Sequence, residues 1–240
     1  MGLFDFLKHK DLAVVVDSDE SCYQEAMKAL RRKDFKGAYR IICKWNVESG
    51  KPSLGFDWEE ELEQGLSEET ESTIQYFYTM KADPEMLHNA VYCALTGAHP
   101  HKVSKWACPD KEKQKEVYLE IDYLESRYMT LCDIQGLVRD GFDKVAFLAT
   151  LDNKTCPVCG NMDGKVIKIK GSVIGKNLPP LHRGCRCTTV PYFDDDDKEG
   201  EIRVARDPKT GKNIEVPANM TWKKWKKLNK LRDAKLASSF

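Results

Sequence analysis

No stretch of this 240-residue sequence approaches the roughly 20 consecutive apolar residues that span a membrane, so no membrane partner is expected. Charge of one sign is also missing: 38 Lys and Arg are balanced by 38 Asp and Glu, which excludes bulk attraction to nucleic acid or to an anionic surface. Any such affinity must be local. The opening MGLFDFLKHKD lacks the apolar core and small-residue cleavage site of an export signal, and the expectation is a cytoplasmic protein. Nine cysteines, an odd number, cannot all be paired, and without an export signal a metal is favoured over disulfides. With 41% apolar residues, by contrast, the chain has enough to bury an ordinary core.

The first half reads as helices. Tyr23, Met27 and Leu30 share one side of a helix that Ser18 or Ser21 could cap, Lys33-Asp34 makes a turn, and Phe35, Ala38, Tyr39 and Ile42 line a second helix. Gly50 to Gly55 breaks the pattern, and an acidic helix follows with Trp58, Leu62 and Leu66 at helical spacing. Further helices are expected around 74–80 and 84–95. His99 and His101 flank a proline, and a solvated turn explains them better than a metal site. The clearest helix runs from Glu112 to Leu137, where Val117, Ile121, Leu124, Tyr128 and Leu131 recur in steps of four and three. The period then changes to that of strands over 145–150, 166–170 and 188–192, with Asp163-Gly164 as a hairpin turn.

Cys22, Cys43, Cys93, Cys108 and Cys132 lie singly in helix-like sequence, as small hydrophobes do. The other four form two close pairs. TCPVCG places Cys156 and Cys159 as in a zinc knuckle, and LHRGCRC then offers His182, Cys185 and Cys187. Five candidates compete for the four places of a tetrahedral structural zinc, and spacing does not choose among them, although thiolates compete well and favour the four cysteines. A catalytic zinc would need a general base, and the nearest carboxylates, Asp152 and Asp163, are explained by turns. No βαβ pattern surrounds the Cys-x-x-Cys, which argues against a redox role.

The run FLATLDNKTCPVCGNMDGKVI, followed by LPPLHRGCRCTTVPYFD, resembles the C-terminal domain of Mu F-like phage head morphogenesis proteins. Together with the tail RVARDPKTGKNIEVPANMTWKKW, the likeness spans roughly 118–227. It implies a minor head protein in the bacterial host or the virion head, with portal or capsid proteins as partners and a part in assembly or in handling packaged DNA. The first half departs from the family's longer helical region. An alternative is therefore an enzyme or toxin whose N-terminal half carries activity, the zinc domain serving for docking. Glu59 and Glu61 form a Glu-x-Glu, but inside an acidic helical run.

From Thr221 the tail reads as a basic helix in which Lys223, Lys224, Lys226, Lys227, Lys230, Arg232 and Lys235 are interleaved with Trp222, Trp225, Leu228 and Leu231. Its tryptophans would dock it, and its lysines would allow weak, non-specific DNA contact. The expected fold class is α+β: a helical region over 1–110, a domain over 111–195 with the long helix and zinc-stabilised β-hairpins, and an acidic linker, extension and basic tail over 196–240. The expected cofactor is a structural zinc ion, and no catalytic residue is assigned.

Overall fold

The computed structural model describes residues 11–49, 68–193 and 200–237, and it divides into two compact units, Met1–Tyr128 and Met129–Phe240. The glycine break at 50–55, the acidic helix of Trp58, Leu62 and Leu66, Glu59 and Glu61, and the acidic link at 194–197 lie outside the described residues.

In the first unit α1 (Asp11–Arg31) and α2 (Phe35–Glu48) form a hairpin. Lys33 takes the left-handed conformation at the turn, and the Asp34 carboxylate accepts the Gly37 N–H at 2.9 Å to start α2. Ser18 and Ser21, expected as caps, lie inside α1, which begins earlier; a hydroxyl able to cap does not oblige a helix to begin. Next come α3 (Glu68–Thr79), α4 (Pro84–Thr96) and α5 (Pro100–Ala107), then the long α6 (Gln114–Arg139). Asp83 caps α4, with Pro84 in the first position where a missing N–H costs nothing, and Gly97 ends it with φ 64°. His99 is a helix cap: its Nδ1 accepts the His101 N–H at 3.1 Å. Tyr23, Met27, Leu30, Ile42, Ile74, Phe77, Val91, Tyr92, Val103 and Ile121 are buried together, so the apolar stripes read along the chain do face one core.

The last turns of α6 bring Ile134 and Leu137 to the second unit. There β1 (Lys144–Leu148) pairs antiparallel with β2 (Val166–Lys168) and with β3 (Thr188–Pro191), giving the order β2-β1-β3. Val145 stands opposite Ile167 and Ala146 opposite Val190. Val145, Phe147, Ile134, Ile167 and Leu178 bury one face. The connection between β1 and β2 is more than a hairpin turn, because the short helix α7 (Pro157–Met162) stands within it and Asp163-Gly164 ends that helix. A second pair of strands, β4 (Ile202–Arg206) and β5 (Asn213–Pro217), forms a hairpin closed at Asp207, whose carboxylate accepts the N–H groups of Lys209 and Thr210. The basic helix α8 (Trp222–Ala237) buries Trp222 and Trp225 against Leu151 and Ala205. The architecture is α+β, helical first and then built on small antiparallel sheets. No described helix is long and apolar enough to cross a membrane.

Candidate metal centre

Pro157 fixes the start of α7, and Cys156 just before it is the cap residue in extended conformation. Its Sγ faces the Cys159 N–H at 3.5 Å, so the Cys-x-x-Cys spacing places both sulfurs at one helix end. Cys159, one turn on, is buried. The second arm is the tight turn from His182 to Cys185, closed by the Cys185 N–H to the His182 carbonyl at 3.1 Å and made possible by Gly184 with φ 70°.

These two arms converge. His182 Nε2 lies 3.3 Å from both the Cys156 and the Cys159 Sγ, and Cys159 Sγ lies 3.7 Å from Cys185 Sγ. Cys156, Cys159 and His182 form one group able to hold a metal ion; Cys159, Cys185 and Cys187 form another, each with its ligand atoms within 4.8 Å of one another. Cys159 belongs to both. All five residues singled out in the sequence are thus brought together, around a cleft of about 10 Å³ that has no room for an organic substrate. The single cysteines behave otherwise: Cys22, Cys43 and Cys93 are buried in helices, and Cys108 and Cys132 are half-buried.

The electrostatics divide the thiols. Hydrogen bonding from Cys187 holds Cys185 down to about 5, and the same bond together with burial pushes Cys187 up. Burial raises Cys159 to about 12. For Cys156 burial acts upward, but the Cys159 N–H and His182 outweigh it and the thiol sits below its ordinary value. The Arg183 carbonyl, 2.9 Å from Nδ1, raises His182 and leaves Nε2 facing the sulfurs. A ring nitrogen tied to a backbone carbonyl while the other faces the donor set is the orientation a metal-binding histidine needs.

Two carboxylates brace this centre, and reading along the chain underrates both. Asp152 does begin a turn, accepting the N–H groups of Lys154 and Thr155 at 2.9 Å. It also takes a bidentate pair of hydrogen bonds from Arg186, between Cys185 and Cys187, which ties one arm of the centre to the other. Burial acts upward on Asp152, yet the Arg186 guanidinium holds it below the usual carboxylate range. The Asp163 carboxylate is buried and binds Arg203 at 3.2 Å, the Ala149 N–H at 2.8 Å and the Trp222 N–H at 2.6 Å. Arg203 in turn donates to the Ala149 and Met220 carbonyls. The one signal in the sequence was Arg186 set between two candidate ligands; Arg203, 40 residues beyond Asp163, left none.

Residues 134–190 match the family model described as Phage Mu protein F like protein. This segment is Mu F-like. The match lies inside the 118–227 stretch of the resemblance, runs from the last turns of α6 through most of β3, and contains all five candidate ligands. No curated protein sequence and no solved structure matches the chain. The Mu F-like segment supports a structural role in phage head morphogenesis, and it leaves α1 to α5 without a counterpart.

Proposed function

We propose that the second unit is a zinc-stapled structural domain of a phage minor head protein, acting in head assembly beside portal or capsid proteins. The observation that carries the reading is the convergence of His182 Nε2 on the Cys156 and Cys159 sulfurs within a Mu F-like segment. Zinc suits a donor set of thiolates and one anchored imidazole, and as a structural ion it would hold the α7 arm and the His182 turn together. Cys156, Cys159, His182 and Cys185 would be the ligands. This set departs from the all-cysteine preference. The Nδ1 contact with Arg183 supports His182, whereas Cys187 packs against the apolar cluster of the sheet. Asp152 and Arg186 would orient the second arm.

The exposed Lys223, Lys224, Lys227 and Lys230 on α8, with no carboxylate between Ala218 and Arg232, would give the otherwise neutral chain a weak contact with DNA phosphates that reads no bases. The virion head is the corresponding location. Elemental analysis of protein purified without added metal tests the reading. A single zinc per chain is expected, lost in Cys156→Ser, Cys159→Ser, Cys185→Ser and His182→Ala and kept in Cys187→Ser. Loss with Cys187→Ser and retention with His182→Ala would move the site to the four thiolates, and a metal-free native protein would end the zinc reading.

A further inference from the structure

The short helix that carries the candidate ligands also carries the contacts that seat the basic tail. Gly160, next to Cys159, has no side chain, and Trp222 occupies the space: a Cβ there would stand 2.2 to 2.6 Å from three carbons of the indole ring. Trp222 is buried, so the ring has little freedom to retreat. One turn further, Asp163 ends α7 and accepts the first N–H of α8 at 2.6 Å. That carboxylate satisfies a helix-start donor and places negative charge at the positive end of α8. Arg203 holds the same carboxylate and donates to the Met220 carbonyl, two residues before α8. The ring that packs on Gly160 also lies under the Lys226 ammonium, 4.6 Å from its centroid. Between the sulfur of Cys159 and the half-buried Lys226 of α8 there are therefore only two packed contacts, Gly160 with Trp222 and Trp222 with Lys226.

We propose that α7 is the seat of the basic helix, so that filling the metal centre fixes α8 in place and emptying it releases α8, with Gly160 and Asp163 as the positioning residues. The proposal rests on the zinc reading above. A helix of six residues has little stability of its own, and its orientation depends on what holds its ends. A metal at Cys156 and Cys159 holds one end, and Asp163 with Arg203 and Trp222 holds the other. Because α7 is shared, the two must be linked, and the linkage is reciprocal: whatever metal does for α8, docked α8 does for metal affinity. The lysine surface would then be presented in a fixed geometry only by the metal-loaded domain.

The test is hydrogen exchange of the full chain, read in a peptide covering 222–230, with zinc loaded and after chelation, alongside zinc titrations. In the native protein chelation should speed exchange in that peptide by about tenfold or more, within the usual span of coupling between sites. A peptide covering α4 should not change, and one covering β1 should speed up less than the 222–230 peptide. Gly160→Ala should show the fast exchange even with zinc bound, and should bind zinc on the order of fivefold or more weakly. Trp222→Leu, which alters no residue of the metal-bearing arm, should weaken zinc binding in the same way and serves if Gly160→Ala does not fold. A chain that binds zinc but whose 222–230 peptide exchanges equally with and without it would overturn this proposal alone. Equal acceleration in α4 or in β1 would mean unfolding of more than α8 and would also overturn it. A chain that binds no zinc removes the reading beneath it as well.

Discussion

The two units are held together by different means. In the first, aromatic and aliphatic side chains from α1 to α6 fill one core, and the Arg31–Glu85 ion pair lies on the surface. In the second, two small apolar clusters leave polar chemistry to complete the fold: Asp163 with Arg203, Asp152 with Arg186, and the thiol and imidazole cluster between them. A unit with a large core spreads its stability over many apolar contacts. One with little apolar area depends on a few directional groups, and small domains commonly use a metal in that way.

The comparison breaks most sharply under chelation. Removing metal should lower the transition of the second unit and leave that of the first in place, giving two separated calorimetric transitions of which only one moves. Zinc at about 10,000 times its Kd would add about 5 kcal/mol to the second unit, and a single unsplit transition would contradict it. Next in size is a matched pair of substitutions. Asp163→Asn strips the buried Arg203 of its counter-charge and should cost roughly 3–5 kcal/mol in the second unit. Phe77→Ala, at a fully buried position, should cost about 3–5 kcal/mol in the first. Each should leave the other unit's transition where it was.

The smallest expected effect is a pH dependence confined to the first unit. Burial, helped by the neighbouring Asp122 charge, raises Glu125 from 4.5 to about 7. The folded state then binds the proton more tightly than the unfolded chain. Stability is therefore full below about 4.5 and falls as pH rises through about 7. Glu125→Gln should remove that slope and, with the linkage reduced by solvent screening of a half-buried carboxylate, stabilise the first unit at pH 8 by about 1 kcal/mol, measured by denaturant unfolding at several pH values. A slope that persists in the variant would assign it to another group.

Much of this was legible along the chain because it depends on near neighbours. Val117, Ile121, Leu124 and Tyr128 keep a helical period, and α6 forms where they stand. Cys156 and Cys159 are one helical turn apart, and Cys185 and Cys187 follow a glycine turn, so the donor inventory of the centre needed no three-dimensional information. The β4–β5 hairpin and the α7 insertion were not legible in the same way. The first does alternate apolar and charged residues, as at Ile202, Arg203 and Val204, but each run is only five residues long and mostly exposed, and the second is too short for a period to show.

By itself the sequence determined the long helices and the three strands of the first sheet, which five residues offer metal donors, and that the last helix is basic, since all of these rest on residue type and local spacing. Only the tertiary structure decided that Asp152 faces Arg186, that Asp163 faces Arg203 and the start of α8, and that Gly160 leaves room for Trp222. It also decided that the His182 ring turns Nε2 toward the sulfurs. Those pairings join residues 23 to 62 positions apart, and such partners are chosen by packing and charge satisfaction across the fold, which leave no periodic trace in the chain.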